Sequence, residues 1–240
     1  MIFVKNLTKY FGSHCVLKDI SFEIKKGEIV GFLGLNGAGK TTMMRILTSY
    51  LLPTSGIVRI ADFDVVNQSL LTRSKIGYLP ETPPLYPEMS VRDYLSFAGE
   101  LKSVKGRDLK TQIDKVLEEC ALQKVQHQSI STLSKGFRQR VGIAQAIIHD
   151  PEILILDEPT SGLDPQQILQ VRNLIKALEP TRTVILSTHI LSEIEQMAKR
   201  VMILHKKTIV ANDSLEHLLK NPYGQTPLSL EAVFLALTND

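Results

Sequence analysis

Apolar positions along the chain follow two periods, and the changes between them outline the fold. Short apolar runs predict strands over Ile2–Leu7, Val16–Ile24 and Glu28–Leu33, with Gly27 marking the turn between the last two. Thr41–Tyr50 reads as a helix that stops before Pro53, and Gly56–Ala61 returns as a strand. From Pro83 to Ile147 the pattern turns mostly helical. Ser90 is placed to cap Val91–Leu101, and Leu109, Ile113, Val116, Leu117 and Cys120 recur at helical spacing, marking one buried face. From Glu152 strands and helices alternate again: a strand at Ile153–Leu156, a helix to Leu178, a strand at Thr183–Leu186, a helix from Ile190 and a strand at Val201–Leu204.

Strands separated by helices imply a mostly parallel sheet with both faces covered. The expected organisation is one domain over 1–240, carrying a helical subdomain at 83–147 and a short C-terminal helix at 229–237. Leu230, Val233, Phe234 and Leu237 form the apolar stripe of that helix, after a loop containing Pro222, Gly224 and Pro227. The stripe can dock on the chain's own core or on a partner. No repeats or low-complexity tracts are present.

Composition narrows the class. Hydrophobic residues make up 43% and charged residues 22%, ordinary values for a globular chain. Apolar runs such as Ile153–Leu156 fall far short of the roughly 20 residues that span a bilayer. The N-terminal Met1-Ile2-Phe3-Val4-Lys5 does not resemble a secretory leader, so a cytoplasmic location is expected. The net charge of +3 is spread among nearly as many acids, without a basic stripe, and no nucleic-acid partner is expected. Two cysteines far apart, and six histidines with no H-x-x-x-H pair, give neither a disulfide framework nor a zinc site.

The strongest chemical signal is Gly34-Leu35-Asn36-Gly37-Ala38-Gly39-Lys40-Thr41, a G-x-x-x-x-G-K-[ST] loop between a strand and a helix. Glycines let the backbone wrap phosphate oxygens with its N–H groups, and the following helix, which carries Thr42, adds its positive end. Lys40 can reach the β- and γ-phosphates of ATP, and the Thr41 hydroxyl can ligate Mg²⁺. An ordinary glycine turn is the bland alternative.

A second part comes from Ile153–Glu158, an apolar strand that ends in two carboxylates. Alone this reads equally well as a plain strand end. Paired with the loop, Asp157 would hold Mg²⁺ and Glu158 would polarise an attacking water.

With these motifs in order, the sequence resembles the nucleotide-binding subunits of ABC transporters over essentially residues 2–237. Leu133-Ser134-Lys135-Gly136-Phe137-Arg138-Gln139-Arg140 is similar to the family's signature segment, usually L-S-G-G-Q followed by basic residues and Gln-Arg. Ser161-Gly162-Leu163-Asp164 resembles the D-loop, and Ser187-Thr188-His189 the switch segment with its histidine. Phe11 falls where the family stacks an aromatic ring on adenine, although Tyr10 is adjacent. Ser134 also suits a plain helix cap, and His189 a structural histidine.

Three departures stand out: Lys135 and Phe137 replace a glycine and a glutamine, and Ile76-Gly77-Tyr78-Leu79-Pro80-Glu81 resembles the Q-loop strand but ends in Glu. A carboxylate at Glu81 can still take a Mg²⁺-bound water, but loses an amide donor and adds charge.

The resemblance implies an α/β fold: a P-loop NTPase core of mostly parallel sheet, with an N-terminal antiparallel β part and an inserted helical subdomain. It implies ATP hydrolysis in which Lys40, Glu158 and His189 are catalytic. Phe11, residues Gly34 to Thr42, Ser134, Gly136 and Asp164 would bind nucleotide, and Thr41, Asp157 and Glu81 would serve the metal. The implied partners are a second copy or a similar ATPase subunit, and a separate transmembrane permease that would hold the chain on the cytoplasmic face of the membrane. The Gly-Tyr-Leu-Pro-Glu, Leu-Ser-Lys-Gly-Phe-Arg-Gln-Arg and Ser-Leu-Glu-Ala-Val-Phe-Leu segments are similar to the ABC-2 type exporter branch. A soluble ABC-type ATPase working on nucleic acid or ribosomes is the alternative. A pseudoenzyme is disfavoured because Lys40, Asp157, Glu158 and His189 are all present.

Overall fold

The computed structural model describes residues 1–178, 181–220 and 228–239. In chain order the elements are β1 (Ile2–Phe11), β2 (His14–Ile24), β3 (Ile29–Leu33), α1 (Lys40–Leu47), β4 (Ser55–Ile60), β5 (Phe63–Asp64), α2 (Ser69–Ser74), β6 (Ile76–Leu79), α3 (Val91–Leu101) and α4 (Gly106–Glu119). There follow α5 (Lys135–Ile147), β7 (Ile153–Asp157), α6 (Pro165–Leu178), β8 (Thr183–Thr188), α7 (Leu191–Met197), β9 (Arg200–His205), β10 (Thr208–Ser214), α8 (Leu215–Leu218) and α9 (Leu230–Thr238). The loop expected at Pro222, Gly224 and Pro227 lies outside the described residues. The chain divides into two compact units, Met1–Arg73 with Thr183–Asp240, and Ser74–Arg182.

The first unit contains the antiparallel part, in strand order β2-β1-β4-β5. β1 runs past the expected Leu7 because register shifts re-aim it. Ile2, Val4 and Leu7 are all buried, a spacing that strict alternation forbids, and Asn6 takes up the extra residue at φ 50°. Its side-chain amide donates to Asp19 Oδ1 at 2.6 Å, and its backbone N–H to Ser21 Oγ at 2.9 Å, which pins the irregularity.

In the same unit β3 pairs in parallel with both β8 and β9, and β10 closes antiparallel on β9. All five residues of β3 and all six of β8 are buried, as strands covered on both faces must be. Burying one such aliphatic side chain contributes about 1.5–3 kcal/mol. Gly31 lets α7 approach: a Cβ there would lie 2.5 Å from Ile194 Cδ1. α9 docks its apolar side on its own unit, with Leu230 and Phe234 buried and the Leu230 N–H donating to Glu195 Oε1 at 3.1 Å.

In the second unit β6 and β7 pair in parallel, and α3, α4 and α5 lie between them in sequence. The apolar stripe of α4 is buried as its spacing predicts, from Leu109 through Ile113, Val116 and Leu117 to Cys120. Burial pushes the Cys120 thiol far above its ordinary value, so it acts as a small apolar group. Ser90 caps α3 by accepting from the Asp93 N–H at 3.1 Å.

Candidate functional site

In the first unit the chain leaves β3 at Leu33 and enters α1 at Lys40, so Gly34 to Gly39 form the connecting loop. A turn folds it, with the Ala38 N–H donating to the Leu35 carbonyl at 3.1 Å. Gly39 ends it at φ 108°, where a Cβ would meet Leu17 Cδ2 at 2.9 Å and the Val16 carbonyl at 3.2 Å. Only glycine meets both demands. Gly39 has no side chain to cap α1, and a helix start without a side-chain cap suits an anion.

Lys40 is 6% exposed, and its ammonium donates to the Gly34 carbonyl at 2.7 Å. Its charge is thus folded back over the loop. Thr41 and Thr42 are half-buried at the start of α1, whereas Leu35, Asn36 and Gly37 are exposed. Phe11 lies at the tip of the β1–β2 hairpin, 49% exposed, with Lys9 Nζ 4.9 Å from its ring centre. Tyr10 pairs across the hairpin with Cys15, whose hydrogen bond raises the pKa of the Tyr10 hydroxyl. The freer ring is Phe11.

Strand register brings His189 to the loop's end of the sheet. Leu33 on β3 pairs with Thr188 on β8, so Gly34 and His189 are the next residues of two adjacent parallel strands. The carboxyl edge of such strands is where α/β folds bind ligands. Thr188 fixes the exit: its hydroxyl donates to Glu193 Oε2 at 3.0 Å and accepts from the Ile190 N–H at 3.0 Å. The sequence reading missed this Thr188–Glu193 brace, whose only signal was a Thr and a Glu flanking the histidine and a helix start.

In the second unit β7 ends at Asp157, which is fully buried, and Glu158 follows at 7% exposure with φ 50°. A left-handed backbone at a residue other than glycine is strained, and such strain concentrates at functional sites. It turns the chain sharply, with the Ser161 N–H donating to the Glu158 carbonyl at 3.1 Å. Leu79 on β6 pairs with Leu156 on β7, so Glu81 and Asp157 leave the same edge of that strand pair.

The capping alternatives are realised in this unit. Ser134 caps α5, accepting from the Phe137 N–H at 3.3 Å, and Asp164 Oδ1 accepts from the Gln167 N–H at 2.8 Å at the start of α6. Gly136 is buried, and a Cβ there would meet the Gln167 side chain at 2.8 Å.

Glu81, Lys135, Arg138, Gln139 and Ser161 share a cavity of about 580 Å³. No motif or spacing signals that these segments converge.

Magnesium was expected at Thr41, Asp157 and Glu81. Among the described residues no group of three or more His, Cys, Asp or Glu side chains could hold a metal alone. A hydroxyl and separate carboxylates are nevertheless a fitting donor set for Mg²⁺, which keeps waters and substrate phosphates in its shell.

The family profile described as "ABC transporter" matches residues 17–161, more than half of the chain. The chain belongs to the ABC transporter family. It is 42% identical over 218 residues to an uncharacterized ABC transporter ATP-binding protein of Methanocaldococcus jannaschii, covering 90% of this chain and 79% of that one. It is 40% identical over 217 residues to the bacitracin transport ATP-binding protein BcrA of Bacillus licheniformis, covering 90% and 70%. A solved dimeric ATP-binding cassette, in a post-hydrolysis state bound to ADP and Pi, superposes with a TM-score of 0.80 at 26% identity, covering 90% and 99%.

The protein is therefore the ATP-binding subunit of an ABC transporter and an ATPase. Its fold is the mixed α/β one expected, with mostly parallel strands and an antiparallel N-terminal part. Among the described residues no helix is long and apolar enough to cross a membrane.

Proposed function

We propose that the chain hydrolyses Mg-ATP as one half of a dimer and thereby drives a separate transmembrane permease in export. The observation that carries the reading is the Leu33–Thr188 register, which sets the phosphate loop and His189 at the ends of neighbouring strands. Lys40 holds the β- and γ-phosphates, and the N–H groups of Gly34 to Thr42 cradle the remaining oxygens. Phe11 stacks on adenine. Thr41 and Asp157, with Glu81 through a water, would hold Mg²⁺, which when bound screens charge on the phosphates. Glu158 accepts a proton from the attacking water, and His189 contacts the γ-phosphate and keeps the attack in line.

Ser134 and Gly136 contact the γ-phosphate of ATP held by the other chain, and Asp164 connects the two sites. The dimeric ADP- and Pi-bound cassette supports this assembly. Closure on ATP and reopening after hydrolysis would shift the permease between states. Export is supported by the Q-loop, signature and C-terminal segments, and a transport role by likeness to a bacitracin transport ATP-binding protein. The helical subdomain at 83–147 belongs to a single ATPase domain over 1–240 in this reading, held at the cytoplasmic face by the permease.

Glu158→Gln tests it. Nucleotide binding should survive and a closed dimer accumulate, while turnover falls by about 10²–10⁴, the usual weight of a general base. Turnover like that of the wild type would refute the assignment.

A further inference from the structure

His189 is exposed, but the polar residues that hold the chain around it are not: Thr188 is 0% and Glu193 1% exposed. The Thr188 hydroxyl accepts from the Ile190 N–H at 3.0 Å, a bond two residues along the chain that fixes the backbone of the residue between. A hydroxyl has one hydrogen to give. Thr188 gives it to Glu193 Oε2 at 3.0 Å, which leaves an oxygen lone pair for Ile190. The Glu193 N–H donates in turn to the Ile190 carbonyl at 3.2 Å. Side chain and backbone of Glu193 thus hold the two residues that flank His189.

The anchor behind this turn is firm. α7 presses on β3, where a Cβ at Gly31 would lie 2.5 Å from Ile194 Cδ1, and the Leu230 N–H of α9 donates to Glu195 Oε1 at 3.1 Å. Glu193 therefore sits on a helix fastened at the next two positions. Burying a carboxyl group is costly, and core packing alone would be served by an apolar side chain like that of Ile194.

We propose that Glu193 is a positioning residue for His189. Through the Thr188 hydroxyl it fixes the backbone at the end of β8, so that the exposed histidine is held at the edge where β3 delivers Gly34. Glu193 acts on nucleotide only through His189. Its loss is therefore felt at the γ-phosphate, which ADP lacks.

The proposal rests on the reading that His189 contacts the γ-phosphate. It is tested by a double-mutant cycle on the full chain with Mg²⁺, titrated with fluorescent analogues of ATP and of ADP. Glu193→Leu should lower the preference for ATP over ADP about fivefold, the weight of one net hydrogen bond, with ADP affinity kept within about twofold. Glu193→Gln, whose amide oxygen can still accept from Thr188, should restore most of the preference. In a His189→Ala background Glu193→Leu should change the preference by less than about twofold. Equal losses in both backgrounds, ATP and ADP weakened alike, or a preference that survives Glu193→Leu would each overturn the proposal. Thr188→Val runs the same cycle if Glu193→Leu does not fold, with thermal midpoints measured throughout. His189→Ala separates the failures. If it leaves the preference for ATP untouched, the γ-phosphate contact itself falls; if it lowers the preference while Glu193→Leu adds independently, only this inference falls.

Discussion

The loop at Gly34–Thr41 offers an anion its backbone, whereas the segment at Leu133–Arg140 offers one a helix start dressed with side chains. In the first, Gly39 is forced by a φ of 108° and by Leu17 and Val16 pressing from β2. In the second, the atoms nearest to a Cβ at Gly136 all belong to the Gln167 side chain, which is flexible. A site made of backbone tolerates almost no change of residue type at its glycines. A site made of side chains can be retuned, and it is there that Lys135 and Phe137 depart from the usual signature.

On nucleotide binding, the largest effect should come from Gly39, and Gly136 supplies the contrast. Gly39→Val is expected to weaken ATP binding at least about 100-fold, since it strains the backbone and drives a side chain into Leu17. Gly136→Ala should leave binding to the isolated chain within about twofold, because a flexible side chain yields. Titration with a fluorescent ATP analogue measures both, and equal effects would break the contrast. Glu158→Gln comes next, with the loss of turnover and retained binding set out above. Glu81→Ala should reduce turnover by about tenfold, the low end of the range for losing an outer-shell partner of a metal. Unchanged turnover and unchanged stimulation by a permease would remove Glu81 from the site. Ser134→Ala is the smallest, costing about 1 kcal/mol of stability through the lost cap. A thermal midpoint lowered by about 2–4 °C is the expected reading.

The same contrast explains how much was legible in the sequence. Spacing alone located the phosphate loop, the buried stripe of α4 and the strand that ends at Asp157, because each is fixed by local geometry. Thr8–Phe11 was not read as strand, since the irregularity at Asn6 breaks the alternation that signals one. β10 escaped because Thr208–Ser214 is half-exposed and its apolar run, Ile209–Ala211, is short. The start of α7 was placed one residue early, at Ile190, whose N–H is held by the Thr188 hydroxyl ahead of the helix. Most of all, the convergence of Glu81 and Lys135 on one cavity, and the approach of Lys135 to Gly162, depend on how distant segments fold together. Residues facing one cavity from separate elements leave no period in the sequence.

In the proposed mechanism each chain carries two half-sites, a phosphate loop for its own ATP and a signature helix for its partner's. The most direct measurement mixes two inactive chains. Lys40→Ala removes the phosphate ligand, while Ser134→Asp keeps a good helix cap but sets a negative charge against the γ-phosphate. Each alone should hydrolyse ATP poorly. An equimolar mixture, in which random two-fold pairing restores one intact site in half of the dimers, should recover about a quarter of wild-type turnover. A mixture as inactive as its parents, or full activity in Ser134→Asp alone, would contradict it.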